Sequence, residues 1–273
     1  MWNLLGKELS ARRGAIVGWG LGLALYGWAI MALFPSMAEQ FGGIEFPEFY
    51  KAFGDINNLG TLEGWLPLEI LDWIPLLLGI LAITAGTAVL AGEEDSGTLE
   101  LLLSLPLPRW HLVVVKTIVL ALVMLIILLL MFLGLWLGLV GIQDEIETGL
   151  AAADLLRASL NNWPILMLWT TLSLFLGAYL PRRRHAAVGV TLYLVVSYLV
   201  HTLGNVSEKI EPLQPYFPFH YYASREALTG RWVDGNPWLL LGVAGILLVL
   251  TMLSFQRRNV TVGAWPWARA RVS

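Results

Sequence analysis

Glu69 and Asp72 stand three positions apart, so a helix carries both carboxylates on one face, and paired acids at a membrane boundary are a recurring device for relaying protons. The competing reading leaves Trp65 to Asp72 in the interfacial layer. There a carboxylate costs little, whereas at the bilayer centre it costs about 2.5 to 3.5 kcal/mol. Four histidines, His111, His185, His201 and His220, show no H-E-x-x-H or other ligand spacing and fall at opposite ends of the apolar stretches, so no metal site is expected. The chain has no cysteine, which removes disulfides, thiolate ligands and thiol nucleophiles. No G-x-S-x-G elbow occurs and no lysine follows a G-x-x-x-x-G spacing, so neither a hydrolytic nucleophile nor a nucleotide cradle is expected. These residue types predict no catalysis in the chain itself.

A different kind of chemistry, docking, is written into Gly92 to Arg109. Ser96 or Gly97 can cap a helix start, Glu93 to Asp95 place negative charge near its positive end, and Pro106 with Pro108 stops it within about two turns. A short helix over about 96–105 follows. Leu99, Leu102 and Leu103 share one face, with Leu101 and Leu105 beside it, and no membrane span is at hand to bury them. A partner's groove would cover that face; so would the membrane surface or neighbouring helices.

The elements that must hold this segment are membrane helices. Of 273 residues, 57% are hydrophobic and only 14% charged, roughly half the charged fraction of a soluble domain. A bilayer core of about 30 Å takes about 20 apolar residues per helix, and six stretches qualify: Ala15–Phe34, Trp73–Ala91, Leu112–Val140, Trp163–Leu180, Ala186–Leu203 and Trp238–Phe255. The first has basic Lys7, Arg12 and Arg13 before it, but its apolar region exceeds that of a signal peptide, so it is read as a retained span. Arginines and lysines decide orientation. Lys7, Arg12, Arg13, Arg109, Lys116, Arg182, Arg183, Arg184, Arg257, Arg258, Arg269 and Arg271 share one side, against Lys51, Arg157, Lys209, Arg225 and Arg231 on the other, which predicts both termini in the cytoplasm. The net charge of −3 by itself says nothing about nucleic acid, and the partners expected are proteins and lipid, with no nucleic acid.

Three outer segments remain, Pro35 to Asp72, Gly141 to Asn162 and Gly204 to Pro237. Phe46, Phe49, Tyr50 and Phe53 suggest an interfacial helix in the first. Pro212, Pro215 and Pro218, interleaved with Tyr216, Phe217, Phe219, Tyr221 and Tyr222, suggest chain skimming the headgroups in the third. Gly134 with Gly138, and Gly14 with Gly18 and Gly22, have the small-xxx-small spacing of helix packing faces.

An acidic cluster, Gly97-Thr98-Leu99-Glu100, a leucine-rich turn, Ser104-Leu105-Pro106, Arg109 and a following Lys116 resemble the permease subunits of ABC-2 type exporters. A basic amphipathic N-terminal helix, six spans and a longer outer segment before the last span extend the resemblance over nearly the whole chain, read as one transmembrane permease domain over 1–273. It implies that Glu93, Glu94, Gly97, Thr98, Leu99, Glu100, Leu102, Leu103, Ser104, Pro106 and Arg109 make or shape a coupling helix on a separate ATP-binding subunit. Lys116 would then open the third span and snorkel to the headgroups. An extra proline, Pro108, departs from the family pattern where the helix exits. The resemblance further implies an all-α multi-pass protein of a bacterial or archaeal plasma membrane, paired with a second permease, identical or not. ATP and Mg would belong to the partner, with no cofactor in this chain. An ion- or proton-coupled carrier using Glu69 and Asp72 is the alternative, and it leaves the leucine face unexplained. A membrane-embedded hydrolase or transferase has no nucleophile or metal set to work with.

Overall fold

The computed structural model of the chain describes residues 2–41, 59–89, 109–180, 182–230 and 237–257. Among these the secondary structure is helical, without strands. The first helix, α1 (Trp2–Ala11), leads into α2 (Arg13–Phe41). A short α3 (Leu62–Leu66) and one π turn (Pro67–Leu71) run into α4 (Ile74–Thr87). Then come α5 (Arg109–Ile142), α6 (Ala152–Leu160), α7 (Asn162–Tyr179) and α8 (Arg183–Gly204). Two 3₁₀ turns (Glu211–Tyr216 and Pro218–Tyr221), α9 (Ser224–Thr229) and α10 (Pro237–Arg257) complete the order.

Among the described residues, five helical runs are long and apolar enough to cross a membrane: 13–38, 62–87, 110–142, 183–204 and 237–256. The expected fourth span is α7, which falls outside that set for a physical reason. Its 18 residues include Asn162, Thr170, Thr171 and Ser173, which lower its hydropathy, and all four are buried. The hydroxyls donate back into the helix, Thr170 to the Leu166 carbonyl at 2.8 Å, Thr171 to Met167 at 2.9 Å and Ser173 to Trp169 at 2.7 Å. A helix whose hydroxyls are satisfied internally can sit in the middle of a bundle. Accordingly α10, α4, α8 and α5 all pack on α7.

The second large contact joins α2 to α5, and glycine makes it possible. A Cβ at Gly134 would come 1.9 Å from the Ala24 carbonyl oxygen, and one at Gly138 would meet Met31 Cβ at 2.4 Å. The small-xxx-small faces therefore divide. Gly134 and Gly138 are consumed inside the chain, whereas Gly14, Gly18 and Gly22 have open space around them.

Helix bounds depart furthest from the sequence reading in three places, the first being α2, which runs through Pro35 to Phe41, past the expected end at Phe34. The second span starts at Leu62, because Thr61 caps α3 through a 3.3 Å bond from the Gly64 N–H and Pro67 is accommodated in the π turn. α5 starts at Arg109, immediately after Pro108, and its 34 residues reach about 51 Å at 1.5 Å per residue, well beyond a core of about 30 Å. The expected interfacial helix around Phe46 to Phe53 lies outside the described residues.

Candidate functional site

The residues expected to dock a partner, Glu93, Glu94, Gly97, Thr98, Leu99, Glu100, Leu102, Leu103, Ser104 and Pro106, lie outside the described residues, as does the helix expected over 96–105. Arg109 is the first residue of α5. What the structure does describe is the frame from which that segment hangs. Val89, just beyond α4, and Leu112 and Val113 on α5 belong to one buried cluster with Leu174 and Ala178 of α7 and Phe255 of α10. Fully burying an aliphatic or aromatic side chain stabilises by about 1.5 to 3 kcal/mol, so this cluster clamps four helix ends together. Side-chain hydrogen bonds add to it. Arg183 Nη2 donates to the Thr84 carbonyl at 3.1 Å, tying the start of α8 to α4.

Lys116 does not snorkel. Because α5 begins two turns earlier, Lys116 lies level with α1, where its Nζ stands 3.4 Å from Glu8 Oε1 and its side chain is 2% exposed. Leu5 and Leu9 of α1 pack against the main core on the same helix. The amphipathic N-terminal helix is thereby pinned to α5 by one ion pair and an apolar face.

At the opposite end, Asp72 and the main chain of Glu69 each meet a partner from another element. Asp72 Oδ1 accepts a 2.5 Å bond from the Ser224 hydroxyl, while the main-chain carbonyl of Glu69 accepts one from Tyr26 at 3.0 Å. The residues around them fall into a clasp that sequence reading did not anticipate. The Tyr222 hydroxyl stands 2.7 Å from the Leu71 carbonyl and 2.9 Å from Asn162 Oδ1, two acceptors for one proton. Burial first, then the nearby Asp72 charge, pushes the Tyr222 phenol well above its ordinary value and keeps it a donor. Asn161 Nδ2 donates to the Ala223 carbonyl at 3.1 Å, and Arg157 Nε to that of Ala227 at 2.7 Å. Arg157 also pairs with Asp154.

The proline and aromatic segment does more than skim a surface. Phe219 is 2% exposed and packs against Trp169 and Tyr198, with ring centroids 6.1 and 5.5 Å away, and its N–H donates to Ser197 Oγ at 3.4 Å. The sequence signals for this clasp were Asp154 three before Arg157 and the Asn161-Asn162 pair at a helix boundary. Neither has a partner visible in one dimension.

The arrangement offers levers and a clamp, and among the described residues no group of three or more His, Cys, Asp or Glu could hold a metal. No curated protein matches the chain. A family profile described as ABC-2 family transporter protein does, over residues 2–260. Nearly complete coverage, together with the all-helical, multi-span architecture, establishes that the chain belongs to the ABC-2 transporter family, as a membrane-spanning permease of an ABC transporter.

Proposed function

We propose that the permease is driven by a separate ABC ATP-binding subunit, which receives the Gly92–Arg109 segment in a groove, and that it exports its substrate as a dimer with a second permease. In this reading ATP binding draws two ATPase subunits together and the docked segments with them. The observation that carries it is the buried cluster of Val89, Leu112, Val113, Leu174, Ala178 and Phe255, which binds both flanks of the segment to α7 and α10. A push on the segment is then a push on whole helices. Only a difference in contact between the two ATPase states can shift the permease, and a stiff 34-residue α5 carries that difference across the bilayer. The cytoplasmic orientation of the segment is supported by the basic residues gathered at its end of the bundle, including Arg182, Arg183 and Arg184.

Co-purification tests the docking. Replacing Leu102 and Leu103 with Asp removes two anchors worth about 1.5 to 3 kcal/mol each, so the ATPase subunit is expected to be lost while the permease still inserts. An intact complex would place the groove elsewhere. Transport that ignores ATP and follows a proton gradient would overturn the ATPase reading altogether.

A further inference from the structure

α8 and α10 both pack on α7 rather than chiefly on each other, and the space between them is a cavity of about 520 Å³. Its floor is a stripe of α7, Leu168, Leu172 and Leu176, at the four-residue spacing that lines one helix face. Val243 and Leu247 of α10 form one wall. Gly189 of α8 opens the other, since a Cβ there would meet only Leu176 Cδ1, at 3.6 Å.

The cavity is roofed at the end that faces water. Tyr221 donates to the Pro215 carbonyl at 2.8 Å, which pins the two 3₁₀ turns over it, and Phe217 packs on Tyr193 with centroids 6.0 Å apart. Tyr216, 78% exposed, marks the interfacial level. Entry is therefore sideways, between two helices that turn most of their surface away from the bundle. In a membrane that surface meets hydrocarbon.

From this geometry we propose that the cavity between α8 and α10 is a binding site for one acyl chain of a phospholipid, from the leaflet bordering the 211–221 segment. Size and depth agree with that occupant. An apolar cavity of about 150 Å³ stays dry and takes up benzene, so this one has room for roughly three times as much hydrocarbon, that of one long chain. The eight steps from Leu168 to Leu176 rise about 12 Å, against about 15 Å for half a hydrocarbon core. The headgroup stays at the Tyr216 level, so a phospholipid rather than a fully immersed apolar molecule fits. The chain acts as a wedge that holds α8 and α10 against α7.

The test uses the full chain in lipid nanodiscs, without the ATPase subunit, so that its outcome is separate from that of the docking experiment. A phosphatidylcholine bearing a diazirine on one acyl chain is photolysed and the labelled residues are mapped. Labelling of Leu172 and Val243 is expected to exceed that of Leu21 and Leu25 on the lipid-facing side of α2 severalfold, and Gly189→Leu is expected to abolish the excess while leaving α2 labelling unchanged. Val243→Trp, which fills the cavity from the other wall, gives the same readout should Gly189→Leu misfold. Uniform labelling of cavity and α2, an excess that survives both variants, or labelling by a diazirine fatty acid but not by the phospholipid would each overturn the proposal.

Discussion

Asp72 shows how one contact changes the meaning of a residue. Three positions from Glu69 it reads as half of a proton relay or as an acid of the interfacial layer, and in the structure its carboxylate accepts from Ser224. Asp72→Ala strands the buried Ser224 hydroxyl and is expected to cost about 1 to 3 kcal/mol, seen as a lower melting temperature in detergent. Asp72→Asn retains an acceptor and should restore most of that stability. The double variant Glu69→Gln with Asp72→Asn is accordingly expected to transport normally in vesicles; activity lost from an intact, folded complex would return the acids to a proton-coupled role. Lys116 teaches the same lesson from the other side of the bundle. Its sequence context suggests a snorkelling anchor, and only the position of α1 turns it into a buried partner of Glu8.

At the scale of elements, hydrophobic runs were a sound guide to where helices lie and a poor one to which faces they use. The glycines of α2 and α5 share one spacing rule, yet Gly134 lies against the Ala24 carbonyl and Gly18 faces open space. Gly134→Val is therefore expected to force α2 and α5 apart, with an overpacking cost of about 1 to 3 kcal/mol or more and an early, aggregated peak on size-exclusion chromatography. Gly18→Val in the same assay should leave the monomer's stability unchanged. Equal damage from both would mean that the two helices pack in another register. α6, α9 and the clasp between them escaped notice because helices of nine and six residues are shorter than the window of about 11 to 18 over which a helical period is read. Arg157 and Ala227 are 70 positions apart, and nothing in either neighbourhood announces the other.

For the whole molecule, the open question of topology has a clean experiment, because the chain has no native cysteine. Single cysteines at Glu145 and Tyr216 should react with a membrane-impermeant maleimide on intact cells, whereas one at Arg184 should react only after permeabilisation. That pattern requires α7 to cross the membrane despite its modest hydropathy; labelling of Arg184→Cys from outside would show that it does not. Composition alone determined the solvent: at 57% hydrophobic residues and 14% charged, only a bilayer leaves such surfaces at low cost. Local spacing determined the helices and, through Gly92 to Arg109, the family resemblance that the match over residues 2–260 bears out. Hydropathy and capping act within a few residues of one another, so they are legible in one dimension. The buried cluster around Val89 and Leu112, the Asp72 and Tyr222 clasp, the Glu8 to Lys116 pair and the cavity between α8 and α10 depend on contacts between residues far apart in the chain. The cluster, the clasp and the cavity all include side chains of α7, so they exist only once α7 has taken the centre of the bundle, and that placement follows from packing, which no local pattern encodes.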